Sequence, residues 1–129
     1  MLLQRVRRVI GERARAVHPD LQPSTYLLLA HVAEVGPVRA SALVEDIGID
    51  KGAVSRQAQH LVFLGLLTRT QDPDDGRATL LAVSEEGRSR LERVGRDRSE
   101  RFGQLLGDWS DDELADFGDR LARYNATLG

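Results

Sequence analysis

The sequence predicts a mainly α-helical (α+β) fold in which a short polar helix, a β-hairpin and a long helix follow one another between Ile49 and Gly87. Three observations support this prediction. A helix start at Asp50 precedes a polar stretch, turn-forming residues separate two later apolar stretches, and a Ser-Glu-Glu-Gly segment then starts a new helix. This order is the layout of a winged helix-turn-helix.

The helix-turn-helix is predicted from apolar residues spaced around one glycine. Val44, Gly48 and Val54 stand four and then six residues apart, as two short helices require if they pack against each other across a tight turn. Gly48 is expected to reverse the chain there, because a residue without Cβ adopts positive φ at little cost. The residues expected on the inward side are Leu43, Ile47, Ile49, Val54 and Leu61.

The second helix of this pair is predicted to present a polar face to solvent. Its outward residues are Lys51, Ser55, Arg56, Gln57, Gln59 and His60, and Asp50 at its start supplies the only carboxylate. Amide, hydroxyl, guanidinium and imidazole groups suit contacts with base edges and phosphates. An ordinary solvated helix face is the alternative interpretation.

A β-hairpin is predicted after this helix ends at Gly65. Residues 66–70 and 78–83 have the β-branched and apolar content of two short strands. The segment between them is dense in turn formers, and Gly76 is expected to use its freedom to take positive φ.

The tip of this hairpin carries one arginine that suits DNA. Arg77 projects from the tip, where an arginine on a narrow ribbon is able to enter the minor groove. Asp75 is expected to orient Arg77 or Arg69 through a charge-assisted hydrogen bond. A solvated loop with incidental charges is the alternative.

Apolar residues at helical spacing predict further helices on both sides. A first helix runs up to Pro19, a second ends at Gly36, a long one starts at Ser84, and a capping box at Ser110 starts the last. Their apolar stripes comprise Val6, Val9, Ile10 and Val17; Tyr26, Leu27, Leu28, Leu29, Val32 and Val35; Leu91, Val94, Phe102, Leu105, Leu106 and Trp109; and Leu114, Phe117, Leu121 and Tyr124.

The terminal helices have more apolar surface than one small winged domain covers. A second subunit is the simplest cover, so they are predicted to be N- and C-terminal dimerisation helices. The first helix is rich in arginine and the last in aspartate, which favours attraction between helices of two subunits. Two separately solvated faces are the alternative.

Composition places limits on the class of protein. The chain has 129 residues, an apolar content of 41% and a formal net charge of -2, which fits one domain with a modest core. It contains no long apolar stretch and no apolar signal-peptide core, so we expect a cytoplasmic protein without membrane contact. The absence of cysteine excludes a thiol switch.

Enzyme chemistry is not indicated by any motif. The three histidines lack metal-ligand spacing, and neither a Gly-rich phosphate loop nor a nucleophile elbow is present. The expectation is a protein that is not an enzyme, with no metal and no cofactor.

Four segments together resemble the MarR (multiple antibiotic resistance regulator) family of bacterial transcription factors. They are residues 49–56, 61–67, 72–78 and 84–87, and the wing segment is the most specific of them. The resemblance covers nearly the whole chain. It implies that Arg56 is the arginine of the recognition helix, Ser55 its small hydroxyl residue and Arg77 the arginine of the wing.

The chain departs from the family pattern at the end of the recognition helix. Gln59 and His60 stand where many relatives have charged residues, and Val62-Phe63 replaces a pair that is usually polar. Two interpretations of Phe63 follow. It lies on the outer face of the helix, or it contacts the dimerisation region.

The resemblance implies a single domain over residues 1–129, with the DNA-binding part at 24–84 and dimerisation helices at 1–20 and 85–129. The implied function is a ligand-responsive repressor that binds a pseudo-palindromic, double-stranded operator as a homodimer. A winged-helix module that binds protein and not specific DNA is the alternative. The predicted DNA-contacting residues are Ser41, Lys51, Gly52, Ser55, Arg56, Gln57, Gln59, His60, Arg69, Asp75 and Arg77.

The resemblance also implies a cleft for a small aromatic or phenolic effector between the DNA-binding part and the dimerisation helices. The candidate lining residues are Val17, His18, Tyr26, Leu29 and His31, although each fits a core or surface role better.

Overall fold

The computed structural model describes residues 2–48 and 50–128, apart from the side chains of Arg98, Phe102, Leu105 and Leu128. The chain forms two compact units, residues 1–95 and 96–129. The prediction of a mainly α-helical fold with a small sheet is confirmed. The elements are α1 (Leu2–Val17), α2 (Pro23–Val35), β1 (Val38–Arg39), α3 (Ala40–Ile47), α4 (Lys51–Phe63), β2 (Leu67–Gln71), β3 (Thr79–Val83), α5 (Glu85–Leu105) and α6 (Asp111–Leu128).

The sheet is antiparallel, with β3 in the middle and the strands in the order β1-β3-β2. Leu67 pairs with Val83 and Gln71 with Thr79, so the hairpin strands start one residue later than predicted. Strand β1 pairs Val38 with Leu81 and was not predicted, because two residues are too few to show an alternating pattern.

The backbone at two glycine turns is as predicted from the sequence, and at a third it is not. Gly48 ends α3 with a φ of 72° and Gly65 follows α4 with a φ of 77°, both as expected. The prediction of positive φ at Gly76 is wrong. The wing turn closes instead through a hydrogen bond from the Ala78 amide to the Asp75 carbonyl, 2.9 Å long, which needs no left-handed residue.

The core of the first unit lies between α1, α2, the helix-turn-helix and the sheet. Its most buried side chains include Val17, Leu28, Leu29, Val32, Leu43, Val54, Leu61, Leu66 and Leu81. Burial of such aliphatic side chains stabilises each by about 1.5–3 kcal/mol. The core therefore holds α4 on the rest of the unit through Val54 and Leu61.

Helix α5 joins the winged region through its first turns. The Ser84 hydroxyl accepts from the Gly87 amide at 3.0 Å and donates to the Gly65 carbonyl at 2.6 Å. Arg90 then donates to the Val17 carbonyl at the end of α1 and to Glu86. The Arg90 hydrogen bond lowers the pKa of Glu86. These contacts fix the start of α5 against both the hairpin and α1.

The second unit contains the end of α5 and helix α6. The predicted capping box is confirmed, since Ser110 and Glu113 exchange hydrogen bonds of 3.1 Å between side chain and amide, which lowers the pKa of Glu113. The long helix ends at Leu105, so the prediction that its stripe continues through Leu106 and Trp109 is wrong. Trp109 instead packs edge-on against Phe117, with ring centroids 5.6 Å apart.

Several apolar residues of the terminal helices are exposed, as the sequence suggested. They are Leu2, Leu3, Val6 and Val9 on α1, and Phe117, Leu121 and Tyr124 on α6. Among the residues that the structure describes, no helix combines the length and the apolar character needed to cross a membrane.

Candidate nucleic-acid interface

Helix α4 exposes most of the residues predicted for its outer face. Lys51, Ser55, Arg56, Gln59 and His60 are exposed, while Val54, Ala58 and Leu61 are buried. The helix begins with Asp50 as its N-cap, whose carboxylate accepts from the Ala53 amide at 3.3 Å. An N-cap of this kind fixes the start of α4.

Gln57 is the exception to the predicted outward face. Its side chain is half-buried, and its Nε2 donates to the Ser24 hydroxyl of α2 at 3.2 Å. Its Oε1 is buried without a partner in the described part of the chain. The outward placement of Gln57 is wrong, because this residue precedes buried Ala58 and lies three positions after buried Val54, on the side of α4 that faces α2.

A groove of about 420 Å³ lies between α3, α4 and the sheet. Its apolar lining includes Val54, Ala58 and Leu81, and its polar lining includes Ser41, Glu45, Lys51, Ser55 and Arg69. The fold therefore brings together predicted contact residues from three separate elements. Gln59 and His60 are exposed further along α4, and Arg77 is exposed in the wing.

The wing is held by an ion pair that the sequence did not predict. The Arg39 Nε of β1 donates to the Asp72 carboxylate at 2.6 Å. Asp72 is only 6% exposed and also accepts from the Asp74 amide at 2.9 Å. This amide and then Arg39 lower the pKa of Asp72 against the opposing effect of desolvation. The pair escaped prediction because 33 residues separate its members and Asp72 resembled an ordinary turn residue.

Asp75 has a different partner from the one predicted. Its carboxylate accepts from the backbone amide of Arg77 at 3.1 Å. Among the ion pairs of the described residues, none joins Asp75 to the guanidinium of Arg77 or Arg69. The prediction that Asp75 orients either guanidinium is therefore wrong, because the short aspartate side chain bonds the turn two residues ahead.

The Asp72 contact predicts a pH-dependent contribution to stability. We expect Asp72→Asn to lower the urea midpoint at pH 7, since an amide nitrogen would then face the Arg39 donor. The folded pKa lies below the ordinary value of 3.8, so the ionised carboxylate stabilises fully above that value and loses this effect as pH falls through the folded pKa. The two proteins should converge in acid.

Urea unfolding at pH 7 and at pH 3 measures how far the difference between the two proteins narrows. Asp74→Asn is the matched control, because Asp74 is exposed and should change stability little at either pH. A constant difference between wild type and Asp72→Asn across this range would contradict the role given to the carboxylate.

The residues predicted for an effector cleft have other surroundings. Val17, Tyr26 and Leu29 are buried in the core. His18 accepts from the Asp20 amide through Nδ1, and His31 Nε2 lies 3.4 Å from the Asp46 carboxylate. Their role in ligand binding stays a prediction. No group of three or more potential metal ligands is present among the residues described.

The comparison with known proteins identifies the family. A model of the MarR family matches residues 20–78. The HTH-type transcriptional regulator YxaD of Bacillus subtilis (strain 168) is 39% identical over 106 residues, which is 82% of this chain and 74% of that protein. The chain belongs to the MarR family. A second regulator of that organism, YdgJ, is 30% identical over 98% of this chain and 76% of its own length.

Solved structures share the fold of this MarR-family regulator. Streptococcus pneumoniae FabT, crystallised in complex with DNA, superposes with a TM-score of 0.80 at 17% identity, over 98% of this chain and 90% of FabT. At this identity the likeness concerns the fold alone. The winged helix-turn-helix fold is thus established for this chain.

Proposed function

We propose that this MarR-family regulator binds a pseudo-palindromic DNA operator as a homodimer and represses transcription until a small effector binds. The observation that carries the proposal is the convergence of Ser41, Lys51, Ser55 and Arg69 on one groove beside the exposed face of α4. Three elements thus offer hydroxyl and cationic donors on one surface. The DNA complex of FabT supports this use of the shared fold.

In the proposed complex, α4 enters the major groove and the wing reaches the minor groove. Arg56 and Gln59 offer donors for base edges, whereas Lys51, Ser41 and Ser55 suit phosphates. The protein has a net charge of -2, so two copies acting on two half-sites would be needed for high affinity. Selection of binding sequences from random duplexes, followed by fluorescence anisotropy with competitor DNA, tests the proposal. Failure to enrich any sequence would contradict it.

Arg77→Ala should weaken binding to operator and non-specific DNA alike. A wing arginine senses groove shape and potential more than base identity. Loss of one phosphate-neutralising cation should also reduce the slope of log affinity against log salt by about one unit. Anisotropy over a salt series measures both effects.

Asp75→Asn is the companion variant for the wing. Asparagine still accepts from the Arg77 amide and removes one negative charge, so tighter non-specific binding is expected. Weaker binding by Asp75→Asn would show that the carboxylate does more than close the turn.

Dimerisation is supported by the exposed apolar residues of α1 and α6. In α6, Phe117, Leu121 and Tyr124 lie on one side of the helix, and Leu121 is 45% exposed. Leu121→Asp should convert a dimer into monomer, because burial of an unpaired carboxylate in an apolar interface costs several kcal/mol. Sedimentation velocity measures the change.

The matched control is Ala126→Asp, which places the same charge on the opposite side of α6 by helical geometry. It should leave the dimer intact. Equal sedimentation of both variants with wild type would contradict an interface at this side of α6.

The proposed effector is a small aromatic acid or a phenol, and the proposed location of the protein is the cytoplasm. A thermal-shift screen with such compounds, repeated with operator DNA, tests the effector. A compound that stabilises the free protein and weakens its DNA complex would support ligand-responsive repression.

A protein-binding module is the second candidate function. It is favoured by one observation, the 85% exposure of Phe63 at the end of α4, since exposed aromatic residues anchor many protein interfaces. Sequence enrichment by the wild-type protein in the DNA selection would decide against it.

A further inference from the structure

The start of helix α4 brings three residues into one small space. Gly52 has no side chain, and a Cβ placed there would lie 3.0 Å from Oδ2 of Asp50 and 3.1 Å from Nη1 of Arg56. The guanidinium of Arg56 is thus folded back over the glycine four residues earlier, toward the N-terminus of the helix. Gly52 supplies the room for this arrangement.

The carboxylate and the guanidinium lie near each other, although none of the ion pairs of the described residues joins them. Both atoms lie about 3 Å from the same point, so they are at most roughly 6 Å apart, within the range where opposite charges attract. The same Asp50 oxygen accepts from the Ala53 amide. The N-cap thus fixes the carboxylate, and the fixed carboxylate attracts the guanidinium.

We propose that Asp50 is a positioning residue that makes Arg56 selective for a base and unfavourable for phosphate. The inference rests on the proposed DNA-binding function of α4. The N-terminal residues of a recognition helix are those that contact base edges, which is where the folded Arg56 presents its guanidinium. A bidentate contact to guanine O6 and N7 uses one edge of the guanidinium, leaving N–H groups that the carboxylate attracts.

The Asp50 carboxylate also makes a contact between Arg56 and a DNA phosphate less favourable. A phosphate bound by Arg56 would place two anions near each other, whereas the guanine edge offers acceptors without net charge. Asp50 would therefore lower affinity for non-specific DNA while it raises selectivity. A residue that acted only as an N-cap would not affect the choice of base.

Two substitutions disturb this arrangement in different ways. Asp50→Asn removes the charge but keeps an oxygen that caps the helix nearly as well. Gly52→Ala retains both charges and is favourable to helix formation, yet its Cβ lies so near the Asp50 oxygen and the Arg56 guanidinium that both side-chain ends must shift. Asp74→Asn is the charge-matched control, because it removes one exposed carboxylate from the wing and leaves α4 unchanged.

The experiment selects binding sequences for each full-length protein and measures anisotropy on the selected operator, on single-base variants and on random DNA. Asp50→Asn and Gly52→Ala should each lose about tenfold discrimination at one base pair per half-site. Asp50→Asn should also bind random DNA more tightly. In an Arg56→Ala background, Asp50→Asn should no longer change the base preference. Asp74→Asn should keep the wild-type preference.

Two results would overturn the inference alone, and a third would overturn the proposed function as well. Wild-type base preference in Asp50→Asn, with a folded protein by circular dichroism, would overturn the inference and leave DNA binding intact. An equal effect of Asp50→Asn with and without Arg56 would overturn it as well, because the carboxylate would then act independently. Failure of the wild type to select any sequence would overturn the proposed function itself, and the inference with it.

Discussion

Gly87→Ala is expected to lower the free energy of unfolding by roughly 2 to 3 kcal/mol. Gly87 lies in the first turn of α5, where that helix crosses the start of the hairpin. A Cβ at this position would overlap the backbone carbonyl of Leu66 and lie 2.9 Å from Cγ1 of Val83. A carbonyl in a strand junction cannot move aside as a flexible side chain does, so α5 must shift away from β2 and β3.

The shift would break contacts that depend on the same crossing. The Ser84 amide donates to the Leu66 carbonyl at 3.0 Å, and the Ser84 hydroxyl joins Gly65 to Gly87. Loss of these bonds would leave polar groups without partners beneath the helix. Urea unfolding at pH 7, followed by circular dichroism, measures the loss.

Gly95→Ala provides the matched control in the same helix. A Cβ at Gly95 meets nothing within 4 Å, so the higher helix propensity of alanine should stabilise by about 0.5–1 kcal/mol. The same chemical change should thus have opposite signs at two positions eight residues apart. A Gly87→Ala protein as stable as wild type would contradict the close approach of α5 to the Leu66 carbonyl.

The fold was predictable where local chemistry determines the backbone. Gly48 and Gly65 occupy left-handed turns, and Ser110 with Glu113 forms a capping box, because these motifs involve only residues close in the chain. Strand β1 was missed because its stability comes from pairing with β3, more than forty positions away. Such pairing leaves no periodic pattern in a two-residue segment.

The site was predictable in its residue types and less so in its contacts. The exposed side of α4 followed from helical periodicity, but Gln57 faces α2 because its amide finds Ser24. In the wing, Asp75 bonds the backbone of its own turn, and the buried carboxylate that pairs with an arginine is Asp72. Gln57 and Asp72 were misplaced because each has a partner 33 residues away in the chain, whereas Asp75 was misplaced because its short side chain bonds its own turn.

Arg56→Ala is expected to weaken binding to the selected operator by roughly 1 to 3 kcal/mol while the fold survives. Arg56 is exposed, and no hydrogen bond of the described residues depends on its side chain, so its removal should leave stability within about 0.5 kcal/mol of wild type. The loss of affinity would come from the base edge that its guanidinium binds. The binding free energy on random DNA should change much less.

Arg56→Lys separates the shape of the guanidinium from its charge. Lysine keeps the positive charge but lacks the planar pair of donors that matches guanine O6 and N7. It should therefore retain the wild-type dependence of random-DNA binding on salt, yet lose most of the operator preference. Fluorescence anisotropy on both DNAs over a salt series compares the three proteins. If Arg56→Ala lost affinity equally for operator and random DNA while Arg56→Lys matched wild type on both, Arg56 would be a phosphate contact, and base recognition by α4 would have to depend on Ser55, Gln59 and His60.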